Sequence, residues 1–259
     1  MKKIVALILA LALSVGLCFA FTSCSPKGKT LQEVKDAGKL VIATSPDFPP
    51  FENLENNEIV GIEIDVMKLV CQELGVELVI EDMDFDSVLL GIQAAKYDCA
   101  ASGITVKPDR EKNMLFTSPY YIAAQCIVVK TGNENIKSAA DLTADTKVSV
   151  QTATTAEDFC LKAGYKVTSL QANADAKNAL TTGKVDAWVV DNCTAAKMVS
   201  ENDGLTILTE ALTAEPYAFA FAFGSEDLVA EIDKIVNEII ASGKMEEIFA
   251  KYGEAYVNP

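Results

Sequence analysis

Of 22 basic residues in the 259-residue chain, one alone is arginine: Arg110, in the stretch SGITVKPDREKN. A guanidinium is planar and presents parallel N–H donors, so it grips a carboxylate through two hydrogen bonds where an ammonium offers a point charge. A chain otherwise content with lysine keeps arginine where that fork matters. The plain alternative is a helix-start or surface arginine paired with Asp109 or Glu111. Three other polar stretches follow apolar runs in the same way: TSPDF (44–48), QTATT (151–155) and VDNCT (190–194). With SGITVKPDR (102–110) they offer hydroxyls, backbone donors at helix starts, one arginine and the aspartates Asp47, Asp109 and Asp191. The chain has no histidine, so a zinc centre or a cysteine–histidine nucleophile lacks its parts. Nor do the four stretches hold paired carboxylates at a spacing suited to general acid–base work. What remains is recognition of something small and zwitterionic, with neither metal nor cofactor.

The elements that must position these residues read as alternating strands and helices. KLVIATS is a buried strand, GIEIDVMKLVCQELG a helix closed by Gly75, and VELVIEDM the next strand. SVLLGIQAAK continues as a short helix and YDCAASGIT as a strand. The phrase then recurs. LLGIQAAKYDCAASG and KNALTTGKVDAWVVDN share a helix, Lys-x-Asp, an apolar strand and a polar loop, so that Lys96 and Asp98 correspond to Lys184 and Asp186. Similar units in separate halves predict an α/β molecule of two lobes with like wiring. KVSVQTATTAEDF predicts a strand running into a helix capped near Thr154 or Thr155, with Glu157 following. Two amphipathic helices split at Gly243 close the chain. In open α/β sheets ligands bind beyond the carboxyl ends of strands, where all four polar stretches fall.

Composition narrows the class further. A net charge of −15 repels nucleic-acid phosphates and anionic lipid heads, so neither is an expected partner. The five cysteines beyond residue 24, Cys71, Cys99, Cys126, Cys160 and Cys193, are scattered singly with no C-x-x-C pair. They read as small core residues, a pair such as Cys160–Cys193 being the disulfide alternative. At the N-terminus MKK, an apolar run (4–21) and TSC have the order of a secretory signal. GKT (28–30) lacks the glycine at position 23 that a phosphate loop needs.

The leader resembles a bacterial lipoprotein signal, which implies cleavage after residue 23 and lipidation of Cys24. Over residues 38–254 the chain resembles the polar-amino-acid family of extracellular solute-binding proteins that feed ABC importers. The resemblance rests on PPFE, GIEIDVMKLVCQEL and FDSVLLGIQAAKYDCAASGITVKPDREKNMLFTSPYY. It implies a two-lobed, periplasmic-binding-protein-like (type II) fold whose discontinuous lobes are joined by two crossing strands near 121–125 and 214–219. The implied organisation is a signal peptide (1–23), a tether (24–37), a first lobe from 38–123 and 217–259, and a second from 124–216. By the same resemblance Arg110 clamps an α-carboxylate, assisted by Ser102, Gly103 and Thr105, and Asp191 takes the α-ammonium. Thr154 and Thr155 supply donors, Gln151 reaches the ligand side chain, and Phe48 and Phe85 wall the pocket. Ser45, Asp47 and Glu52 leave the side chain open among several polar amino acids. Asp191 and the threonines can also be read as helix caps, and the two phenylalanines as core. The family usually has glycine where this chain has Ala153. The partners implied are an amino acid, a permease and, through the lipid, the extracytoplasmic face of the membrane, with the protein a monomer. A dehydratase-like enzyme on the same fold and an extracellular sensor are the competing functions.

Overall fold

The computed structural model describes residues 26–200 and 204–259. The leader and Cys24 lie outside the described residues. Two five-stranded sheets dominate. The first joins β1 (Lys39–Thr44), β5 (Glu77–Asp82), β6 (Cys99–Ala100), β7 (Leu115–Phe116) and β15 (Ala220–Phe221) in the order β5-β1-β6-β15-β7. The second joins β9 (Gln125–Lys130), β10 (Lys147–Gln151), β11 (Lys166–Leu170), β12 (Ala187–Asp191) and β13 (Leu205–Ile207) in the order β11-β10-β12-β9-β13. In each sheet four strands run one way and one, β15 or β9, runs antiparallel between two of them. The first sheet therefore draws on both ends of the chain and the second on its middle. A separate ribbon, β8 (Tyr121–Ala123) antiparallel to β14 (Glu215–Tyr217), carries the chain between them. These short strands fall within the two stretches expected to cross.

Alternation builds both cores. On β9, Cys126 and Val128 enter one hydrophobic cluster while Ile127 and Val129 enter the other, so these four residues are apolar and buried on both faces. The first sheet is covered by α1 (Leu31–Ala37), α2 (Ile62–Leu74), α3 (Phe85–Gln93), α8 (Glu226–Ala241) and α9 (Lys244–Lys251). Around the second lie α5 (Thr155–Ala163), α6 (Asn173–Thr181) and α7 (Asn192–Met198). Gly75 and Gly243 end or divide helices with φ of +73° and +79°, as expected.

The recurring Lys-x-Asp has a structural explanation. Asp98 accepts the Val41 N–H at 2.9 Å, and its own N–H returns to the Val41 carbonyl at 2.9 Å. Asp186 accepts the Lys147 N–H at 2.9 Å and returns to the Lys147 carbonyl at 2.8 Å. In each sheet the aspartate fastens an incoming strand to the start of the central one. One expectation changes and one alternative falls. YDCAASGIT supplies only a two-residue strand, because after Ala101 bonds to Ala43 the chain bends away and Gly103 takes φ +53°. All five described cysteines are free and buried, so Cys160 and Cys193 are not a disulfide. They belong to different clusters, Cys160 to one around the second sheet and Cys193, near the start of α7, to the one that covers the first.

Candidate functional site

The carboxyl ends of the central strands face one another across a cleft that encloses about 440 Å³ of atom-free space, part of it open to solvent. Every residue the sequence singled out for a ligand lines it: Ser45, Phe48, Phe85, Ser102, Gly103 and Thr105 on one side, with Arg110 among them. Gln151, Thr154, Thr155 and Asp191 line the other.

Arg110 lies in the single turn α4 (Pro108–Glu111) and is 6% exposed. The side chain faces inward and pairs with neither Asp109 nor Glu111. Its guanidinium stacks 5.5 Å from the centre of the Phe85 ring. One terminal nitrogen donates to the Thr105 carbonyl at 3.0 Å and the other to the Ala153 carbonyl, across the cleft, at 3.1 Å. Burial pulls its pKa down to about 10, which leaves it charged at neutral pH. Phe85 is thus core and wall at once.

Asp191 ends β12 at the N-cap position of α7, yet its side chain caps no helix N–H. Both oxygens are held inside: Gln125 Nε2 donates to Oδ1 and the Tyr217 hydroxyl to Oδ2. Burial raises this carboxyl to about 7, against the lowering effect of the Tyr217 bond, and the charge of Arg110 also lowers it. Thr154 does cap α5, accepting the Glu157 N–H at 3.2 Å, while Glu157 accepts the Ala153 N–H at 2.7 Å. Ala153 holds φ +63°, a conformation that suits the glycine usual at this place in the family it resembles.

The cleft is also bridged at Asp47. Asp47 accepts the Asn173 N–H at 2.6 Å and the Gln151 side-chain amide at 3.3 Å, both from the opposite sheet's side. Ser45 donates to the same carboxylate at 3.2 Å. Burial raises Asp47 from its ordinary value. Lys107 and Asp158 form a further ion pair over the rim.

Several of the hydroxyl and backbone donors expected to face a carboxylate are engaged within the protein. Ser102 donates to Glu52 at 2.9 Å, the Gly103 N–H to Glu63 at 3.0 Å and Thr105 to Glu215 at 2.8 Å. Gly103 is required on two counts: its φ is positive, and a Cβ would stand 2.6 Å from the Phe48 ring. A pair of carboxylates does meet elsewhere. Glu52 and Glu63, from segments outside the four polar stretches, meet beneath the cleft with both side chains fully buried. Sequence reasoning missed Glu63, Gln125, Asn173, Glu215 and Tyr217. Gln125 alone carried a legible signal, a polar side chain opening the apolar run CIVV.

A two-strand ribbon between two like-wired lobes, with charged groups of both signs converging on the cleft, defines a two-lobed binding protein for a small solute. The chain belongs to the bacterial extracellular solute-binding proteins, family 3, whose model matches residues 40–255. It is 29% identical over 259 residues to the arginine-binding extracellular protein ArtP of Bacillus subtilis, covering 97% of this chain and 98% of that one. A crystal structure of an arginine-binding protein from T. maritima superposes with TM-score 0.82 at 36% identity, covering 86% of this chain and 98% of that one. An ancestral amino-acid-binding protein, AncCDT-1, described as a precursor of cyclohexadienyl dehydratase, superposes with TM-score 0.81 at 30% identity, with 86% and 99% covered. Among the described residues no helix is long and apolar enough to cross a membrane.

Proposed function

We propose that the chain is an extracellular receptor, anchored through a lipid on Cys24, that closes on a polar α-amino acid and delivers it to an ABC importer. It acts as a monomer and binds its ligand without converting it. The observation that carries this reading is the placement of Arg110 and Asp191 on opposite walls of one cleft. Arg110 takes the α-carboxylate and Asp191 the α-ammonium, with Thr105, Thr154 and Thr155 in support and Phe48 and Phe85 as walls. Gln151, Ser45 and Asp47 face the side chain. With Arg110 and Asp191 taken by the ligand's two ends, Asp47 is the acid left facing the side chain, so a side chain bearing positive charge is favoured. The names of the two arginine-binding relatives support arginine within that class.

A thermal-shift screen against the twenty amino acids tests the reading. Arginine is expected to give the largest stabilisation, about 4 kcal/mol at a thousand times its Kd, and to be recovered unchanged after long incubation. No shift with any amino acid, or the appearance of a product, overturns it. For the anchor, mass spectrometry of protein from its own membrane should find an acylated Cys24 as the first residue. An N-terminus at Met1 rules the anchor out.

A further inference from the structure

We propose that Glu52 and Glu63 share one proton and act as positioning residues for the segment from Ser102 to Arg110. They come from different elements, the first residue of β3 (Glu52–Glu55) and the second residue of α2. A glycine brings them together. The start of α2 presses on the strand so closely that a Cβ on Gly61 would lie 2.0 Å from the Phe51 carbonyl oxygen. The N–H groups of Ile62 and Glu63 bond to the Pro50 and Phe51 carbonyls at 2.9 and 3.0 Å.

Both side chains are 0% exposed, and among the described residues neither has a cation beside it. The groups that face the pair are Ser102, Gly103 and Tyr120 as donors, with Asp47 and the Cys99 thiol as the other titratable neighbours. Two carboxylates so placed would repel each other and forfeit their solvation together; a single proton between them removes both penalties. The hydrogen bonds say where that proton sits. Glu63 accepts from the Tyr120 hydroxyl at Oε1 and from the Gly103 N–H at Oε2, so it is the ionised partner. Glu52 accepts the Ser102 hydroxyl at Oε1, whereas its buried Oε2 meets no donor. An oxygen without a donor beside an ionised carboxylate is where an acid O–H belongs, and it donates to Glu63. Burial first, and then the charge of Glu63, hold Glu52 well above the ordinary value of 4.5.

The pair holds the carboxylate-side wall of the cleft. Glu63 fixes the Gly103 N–H, and Glu52 fixes the Ser102 hydroxyl, which itself accepts the Ser45 N–H at 3.0 Å. Thr105 and Arg110 follow along the same segment. The inference concerns the protein by itself and stands whichever solute is bound.

The test uses the full mature chain with Glu52→Gln and Glu63→Gln. Infrared spectra at neutral pH should show a protonated-carboxyl band that E52Q abolishes. A group whose folded pKa is raised keeps its proton in the folded state after the unfolded chain has lost it, so stability falls as pH rises from 4.5 toward the raised value. The unfolding temperature of the parent protein should therefore decline between acid and alkaline pH more steeply than that of E52Q. E63Q removes the acceptor of the Gly103 N–H and should weaken arginine binding about tenfold or more. An unchanged infrared band, or parallel stability–pH curves for the parent and E52Q, overturns the proposal. Both readouts remain decisive if E63Q fails to fold.

Discussion

At the residue scale the cleft depends on two buried charges doing different work. Arg110 holds a carbonyl on each side of the cleft and stacks on Phe85, and in the proposed function it takes the ligand's carboxylate. Lysine in its place keeps the charge but loses the fork and one of the two carbonyl bonds. Arg110→Lys should weaken binding by about 2 kcal/mol or more, roughly thirtyfold, as read by calorimetry; unchanged affinity would take Arg110 out of the site. Asp191 sets the pH response. Its carboxyl, raised to about 7 by burial, must be ionised to hold an ammonium. A bound ammonium favours the ionised form, so affinity is full above pH 7 and declines as pH falls through it. At pH 5.5 binding should be about thirtyfold weaker than at pH 8, and Asp191→Asn should be weak at both. A flat profile over that range would mean that Asp191 is ionised throughout.

Among elements, the repeated aspartates show the same bond with different burial. Asp98 is 4% exposed and also meets Lys29 at 2.9 Å, whereas Asp186 is exposed. Loss of an acceptor costs more where water cannot replace it. Asp98→Ala should destabilise the fold by about 1–3 kcal/mol, and Asp186→Ala by about 1 kcal/mol or less, as measured by denaturant unfolding. Neither residue lines the cleft, so calorimetry should find ligand affinity unchanged in both. Equal losses from the two substitutions would show that burial is not what separates them.

For the whole molecule, the two sheets are linked by the β8–β14 ribbon and by bonds over the cleft. Asp47 to Asn173 and Gln151, Arg110 to the Ala153 carbonyl, and Lys107 to Asp158 all join the lobes. Two antiparallel strands can bend together, and the proposed partners of the ligand's two ends, Arg110 and Asp191, come from different lobes, so binding energy would be available for closure. X-ray scattering should show a smaller radius of gyration with saturating arginine than without. Asp47→Asn, which weakens the charge-assisted bond to Asn173, should require more arginine to reach the same compaction. Identical radii in both conditions would remove the hinge from the mechanism.

The sequence by itself determined the alternating α/β pattern, the doubled wiring, the helix stops at Gly75 and Gly243, and which loops end the central strands. These are local properties: periodicity, glycine in the left-handed region, and turn chemistry are written in neighbouring residues. It also marked Arg110 and Asp191, because a single guanidinium and a lone acid after an apolar strand stand out in composition. The lining residues it named were brought to one cleft by sheet order, which the repeated phrase already carried. Tertiary structure alone decided the rest. Glu52 and Glu63 are eleven positions apart in sequence but adjacent beneath the cleft, and Tyr217 reaches Asp191 from a hinge strand 26 residues away. Such partners share no periodicity with the residues they hold. Burial, not residue type, fixed the protonation of these acids, and burial exists only once both sheets and the ribbon are in place.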